Sequence, residues 1–241
     1  TTIYSISEAL KKFVLFNDWF IIIVGDKSVG KTSILNKWID PCRNIQMYQN
    51  TIGVEFGSKI YSIKTYDKNN NILNIDEKKI KIHFWDTAGQ EQFHSIIKSY
   101  FRSIGGIIIV FDLGDKQSFT NIDMWYNQIK INNNCDDSHK HPLLILGNKS
   151  DMEKNISNEE IYEKVESLDA IYFEVSAMNN KNLEKAIHKY IAELYNNAIE
   201  IDKNGQTCVG IKNGVNEFLK NNRYKKRDNY CYYENSCCNL L

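Results

Sequence analysis

Four short stretches, widely separated in the chain, carry residue types whose spacing suits different parts of one ligand. The first, Gly25-Asp-Lys-Ser-Val-Gly30-Lys31-Thr32, has the Gly-x-x-x-x-Gly-Lys-Thr spacing of a phosphate loop and follows the apolar run Phe20-Ile-Ile-Ile-Val24. Gly25 and Gly30 allow backbone geometry closed to residues with a Cβ. Successive N–H groups of Asp26, Lys27, Ser28, Val29, Gly30, Lys31, Thr32 and Ser33 can then converge on phosphate oxygens, backed by the start of a helix. Lys31 would add a mobile positive charge at the β- and γ-phosphates, and the Thr32 hydroxyl a ligand for Mg²⁺. Alone, such a loop says only that a nucleoside triphosphate can bind.

The other three stretches narrow the ligand. Asp86-Thr87-Ala88-Gly89-Gln90 places a carboxylate at the end of an alternating run, where it can hold Mg²⁺ through water. The Gly89 N–H can approach a γ-phosphate, and Gln90 can orient a water for in-line attack. In Asn148-Lys149-Ser150-Asp151, the Asp151 carboxylate can accept hydrogen bonds from the guanine ring N–H and exocyclic amine, a donor pair that adenine lacks. A site built on such an acceptor rejects the ligand without the donors by a large factor. The Lys149 stem can lie over the base. The backbone at Ser176 and Ala177, with Met178 beside it, can receive O6. Asn-Lys-x-Asp in isolation is only a polar turn; together the four stretches point to a guanine nucleotide with Mg²⁺.

To meet, these stretches need a scaffold that brings distant chain pieces to one rim. Residues 54–64 and 79–86 read as strands, the second alternating through Ile80, Ile82 and Phe84. Residues 107–111, 143–146 and 170–175 are short runs apolar on both faces, as central parallel strands require. Helical patterns run to Trp38 and over 118–131, 159–167 and 183–197. The order predicts an α/β fold: a six-stranded, mostly parallel sheet with one antiparallel strand and helices on both faces. Ligands bind at the carboxyl ends of such strands, where all four stretches fall. Residues 1–18 read as an N-terminal extension, 19–200 as the nucleotide-binding domain and 201–241 as a flexible tail. An Asn-rich stretch at 66–78 reads as an enlarged hairpin tip.

Composition limits the partners. Lys plus Arg and Asp plus Glu number 30 each in 241 residues, so no global field favours nucleic acid, which is not expected as a partner. No apolar run approaches the ~18 residues of a membrane span, and no secretion signal is evident. Residue 1 is Thr, so no myristoylation start is expected in the sequence as given. Of six cysteines, Cys208, Cys231, Cys237 and Cys238 fall in the tail, and Cys-x-x-Cys pairs are absent, against a structural zinc site.

These residues resemble the Ras superfamily of small GTPases and, more narrowly, the Rab family. The segments Thr51-Ile-Gly-Val-Glu-Phe56, Phe84-Trp85-Asp-Thr-Ala-Gly-Gln-Glu91, Tyr100-Phe-Arg102 and Ile109-Val-Phe-Asp112 are similar to that family's markers. The resemblance implies a P-loop GTPase domain that binds GTP or GDP with Mg²⁺. In it Thr51 would bind the metal and the γ-phosphate, and Tyr48 would fold over the phosphates. Phe56, Trp85 and Tyr100 would be read by effectors; the plain alternative for these aromatics is core packing. The implied protein is a slow, membrane-anchored GTP/GDP switch in vesicle trafficking, on the cytoplasmic side of intracellular membranes, cycling with the cytosol. It would be a monomer, meeting a guanine nucleotide exchange factor, a GTPase-activating protein, effectors, a prenylation escort and a GDP-dissociation inhibitor.

Three features depart from the family pattern. Lys27 stands where Ras proteins carry Gly; it could neutralise γ-phosphate charge, or obstruct an arginine supplied by a GTPase-activating protein. The stretch 41–45 lacks an aromatic to stack on guanine, with Arg43 a weak substitute. The hairpin tip is long. At the end, Cys237-Cys238-Asn-Leu-Leu241 fits geranylgeranylation, and a neighbouring Cys offers a second lipid. Lys220, Arg223, Lys225, Lys226 and Arg227 would add attraction to anionic lipid. A GTP-binding adaptor that barely hydrolyses, with Lys27 as the cause, is the alternative to the switch. A small-molecule kinase would not explain Asn148, Lys149 and Asp151.

Overall fold

In the computed structural model, the residues described are 17–42, 54–67, 76–87, 104–132, 141–203, 211–212 and 229–231. The Ile-rich run after Asn17 cannot leave either side in water, and it forms the central strand β1 (Asn17–Val24). Ile21, Ile22, Ile23 and Val24 are each 0% exposed. Alternate side chains point to opposite faces, so Ile21 and Ile23 enter one hydrophobic cluster, and Ile22 and Val24 the other. Around it lie β2 (Val54–Asp67), β3 (Asp76–Thr87), β4 (Gly106–Asp112), β5 (Leu143–Asn148) and β6 (Ile171–Glu174), in the order β6-β5-β4-β1-β3-β2. β1 runs parallel to β3 and β4, β5 to β4, and β6 to β5, while β2 pairs antiparallel with β3. Five parallel strands and one antiparallel strand are the expected architecture.

Helices close both faces. α1 (Lys31–Ile39) and α5 (Leu183–Lys203) cover the side that holds Ile21. α2 (Lys116–Thr120), α3 (Ile122–Asn132) and α4 (Asn158–Ser167) supply Phe119, Ile122, Trp125, Ile129 and Ile161 to the other. α4 starts at a capping box in which Ser157 Oγ accepts from the Glu160 N–H at 3.1 Å and Glu160 Oε2 from the Ser157 N–H at 3.1 Å. Each fully buried Ile or Leu is worth about 1.5–3 kcal/mol of transfer free energy, so two such clusters dominate the favourable side of folding.

Four boundaries differ from the expectation. One helix is expected over 118–131; the structure has two, Lys116–Thr120 and Ile122–Asn132, with a break at Asn121, whose side-chain amide donates to Asp26. The paired strands of the hairpin run on through Thr65 and Asp76, leaving 68–75 as the connection, outside the described residues. The register sets Lys64 opposite Glu77, a pairing of opposite charges that a sheet accepts readily. α5 continues past 197 to Lys203 because its apolar stripe persists through Leu194, Tyr195 and Ala198.

The fourth difference lies in the segment expected to be a tail, which contributes two short strands. β7 (Ile211–Lys212) pairs antiparallel with Trp19 and Asp18. β4 joins β1 only from Ile21 onward, so the first residues of β1 have an open edge there. β8 (Asn229–Cys231) pairs with β2 at 65–67. Cys237 and Cys238 lie outside the described residues. Among the described residues no helix is long and apolar enough to cross a membrane.

Candidate functional site

Strand β1 delivers its chain into a loop that only unusual backbone can form. Gly25 has φ +142° and Gly30 φ +98°. A Cβ on Gly25 would stand 2.1 Å from the Val110 carbonyl oxygen, and one on Gly30 would stand 2.3 Å from Asn148 Nδ2. Ser28, between them, also has positive φ, at 67°. Lys31 turns back over this loop: its Nζ donates to the Gly25 carbonyl at 2.9 Å and to the Asp26 carbonyl at 2.7 Å. Burial pulls the Lys31 ammonium down to about 8, against Asp86 and Asp26, whose negative charge raises it. Lys27 is exposed, and Val29 is buried at the turn into α1.

Asp86, near the end of β3, is 0% exposed and accepts a hydrogen bond from the Thr32 hydroxyl through Oδ2. Among the described residues its Oδ1 is buried with no partner. A carboxylate oxygen left unsatisfied in the interior is costly. Burial pushes this carboxyl up to about 6, against the Thr32 hydroxyl and the Lys31 charge. The donor set, one hydroxyl and one carboxylate, is all oxygen and suits a hard divalent cation. Among the described residues no group of three His, Cys, Asp or Glu could hold a metal. A cation here therefore needs further oxygens from outside that set.

β5 ends at Asn148, which is 2% exposed and joins two loops. Its Nδ2 donates to the Val29 carbonyl at 2.8 Å, and its Oδ1 accepts from the Ala177 N–H at 3.1 Å. Lys149 follows in a left-handed conformation, φ 63°, with its Nζ 2.6 Å from Asp112 Oδ2. Asp151 is exposed, and its Oδ1 accepts from the Ser176 hydroxyl. Ser176 is itself held in a bridge: its N–H donates to the Lys181 carbonyl at 3.1 Å and its carbonyl accepts from the Lys181 N–H at 3.0 Å. The backbone donors expected to meet guanine O6 are thus engaged internally at Ser176 and Ala177, and a purine oxygen must share or displace them. The Met178 side chain beside them is 67% exposed.

The structure brings together the phosphate loop, Thr32, Asp86, Asn148, Lys149, Asp151, Ser176 and Ala177 at the carboxyl ends of β1, β3, β5 and β6. Phe56 is 53% exposed, with its ring 5.0 Å from Trp85 and 5.4 Å from His83, so its environment is not that of a core aromatic. Arg43, Tyr48, Thr51, Gly89, Gln90 and Tyr100 lie outside the described residues. The motif spacing alone assigns Asp112 no role, yet it pairs with Lys149. Its position at the carboxyl end of β4, directly opposite Asn148 in the register, was the available signal.

Comparison with known proteins agrees with this geometry. The model of the Ras family matches residues 20–196. The Ras-related protein SEC4 of Saccharomyces cerevisiae is 35% identical over 195 residues, 80% of this chain and 80% of its own. The Ras-related protein Rab-1D of Dictyostelium discoideum is 35% identical over 191 residues, 78% of this chain and 85% of its own. Rab-2B of the same organism is 35% identical over 170 residues, 70% of this chain and 76% of its own.

Proposed function

Because the chain belongs to the Ras family, and within it to the Rab small GTPases, we propose that it is a membrane-attached switch in vesicle traffic. It hydrolyses GTP slowly and recruits effectors in its GTP state. The observation that carries the reading is the junction at Asn148, which ties the phosphate loop to the loop of Ser176 and Ala177. One ligand with phosphate at one end and a base at the other fits that frame.

In this reading the phosphate loop and Lys31 receive the phosphates. Thr32, Thr51 and Asp86 would hold Mg²⁺, and the buried Asp86 Oδ1, with no partner among the described residues, supports the fit. A cation held there would supply charge neutralisation for the phosphates. Asp151 selects guanine, and Gln90 orients the attacking water. Loss of the γ-phosphate would release the Thr51 and Gly89 contacts and relax both loops. Effectors would read Phe56, Trp85 and Tyr100, and the partners would be an exchange factor, a GTPase-activating protein and a GDP-dissociation inhibitor. A competition titration tests the core of this: GTP should displace a bound fluorescent GDP analogue, and ATP should not at comparable concentration. Equal displacement by both, or no magnesium requirement, would sink the reading.

Two finer elements have their own tests. Lys27 is exposed in the phosphate loop, where a cation stands in the approach of an arginine supplied in trans. Such an arginine is worth about 10³–10⁵ in rate. Lys27→Ser should raise GTPase-activating-protein-stimulated, single-turnover hydrolysis by about tenfold or more; an unchanged rate defeats the idea. The lipid anchor at Cys237 and Cys238 would put the protein on intracellular membranes, because two chains hold stably where one is marginal. Intact mass after co-expression with the prenylation machinery should rise by two isoprenoid groups. No added mass means no such anchor.

A further inference from the structure

The phosphate loop carries a carboxylate at its second position, Asp26, in a backbone shaped to receive polyanions. A negative charge left loose there opposes phosphate binding. Both of its oxygens are instead tied to the junction of α2 and α3. The Asn121 side-chain amide donates to Asp26 Oδ2 at 2.7 Å, and the Trp125 indole N–H donates to Asp26 Oδ1 at 2.8 Å. Asn121 sits where the expected single helix breaks, and the Gln117 side-chain amide donates to its Oδ1 at 3.0 Å, which orients the group. Trp125 is 2% exposed and packed in the cluster with Ile122 and Ile129, so its N–H has a fixed direction. The Asp26 carbonyl meanwhile accepts from Lys31 Nζ. A single residue therefore joins the buried cation of the loop to the first turn of α3.

We propose that Asp26, Asn121 and Trp125 form a positioning clamp that holds the phosphate loop in its binding shape, draws the Asp26 carboxylate toward α3, and sets how long a guanine nucleotide stays bound. Hydrogen bonds to an ionised carboxylate are roughly twice as strong as neutral ones, so the clamp outweighs an ordinary loop contact. The inference rests on guanine-nucleotide binding and not on the trafficking role.

The test is a double-mutant cycle on the full chain, reading the dissociation rate of a fluorescent GDP analogue in magnesium. Trp125→Phe keeps an aromatic ring in the core and removes one donor. It should speed dissociation by about tenfold. The same substitution made on top of Asp26→Ala should change the rate by less than about twofold, because the bond it removes is already gone. Asp26→Asn, which keeps an acceptor oxygen, should release nucleotide more slowly than Asp26→Ala. A merely structural tryptophan would give the same acceleration in both backgrounds. That result, or an unchanged rate for Trp125→Phe alone, overturns the clamp while leaving the guanine reading intact. Wild-type protein that takes up no guanine nucleotide would overturn both.

Discussion

Asn148→Ala is expected to accelerate release of bound guanine nucleotide by about 30- to 1000-fold. The substitution removes two hydrogen bonds at once, to the Val29 carbonyl and from the Ala177 N–H, both in the interior. Each orphaned backbone group costs about 1–2 kcal/mol, and 1.4 kcal/mol corresponds to a factor of about ten. The effect falls on binding more than on folding, because the bonds connect loops and not the strands beneath them. Dissociation of a fluorescent GDP analogue, measured beside thermal unfolding of the nucleotide-loaded protein, separates the two. A release rate within threefold of wild type would mean that the junction does not matter to the ligand.

The second large effect is expected at Gly25. An alanine there meets the Val110 carbonyl oxygen, a backbone atom with no room to withdraw, at a φ of +142° that L residues rarely adopt. Overpacking and backbone strain each cost about 1–3 kcal/mol, so a loss of about 3–5 kcal/mol is expected, together with nucleotide binding. Gly30→Ala is a useful contrast. Its φ of +98° strains an alanine too, but its Cβ meets a side chain, Asn148, and not backbone, so stability should suffer less than at Gly25 while the junction is lost. Denaturant titration of both variants checks the order. Equal stability of Gly25→Ala and wild type would show that β4 yields at Val110.

Much of this was legible in the sequence because it depends on local rules. Gly25, Gly30 and Lys31 announce their loop by spacing, and the strands announce themselves by apolar runs bounded by turn residues. The bonds that make the site one unit are another matter. Asn148 is 119 residues from Val29, and Trp125 is 99 residues from Asp26, so no spacing could reveal either contact. The break at Asn121 was hidden for the same reason, since the side chain there bonds to Asp26, 95 residues away, within a continuous helical pattern. The engaged N–H groups of Ser176 and Ala177 depend on a bridge to Lys181 and on a partner from another strand. Neither is written in the motif.

The way α5 completes the core has a consequence for biosynthesis. Trp19 at the start of β1 stacks on Tyr195, and Tyr190, 0% exposed, shares its hydroxyl between the Ile107 and Pro142 carbonyls at 2.8 Å each. Among the described residues, the first strand thus waits for the last helix. While the ribosome is still adding the residues before Leu183, that face of the sheet has only α1 to cover it. Long-range closure of this kind is slow, and it leaves the nascent chain open to aggregation until α5 has emerged.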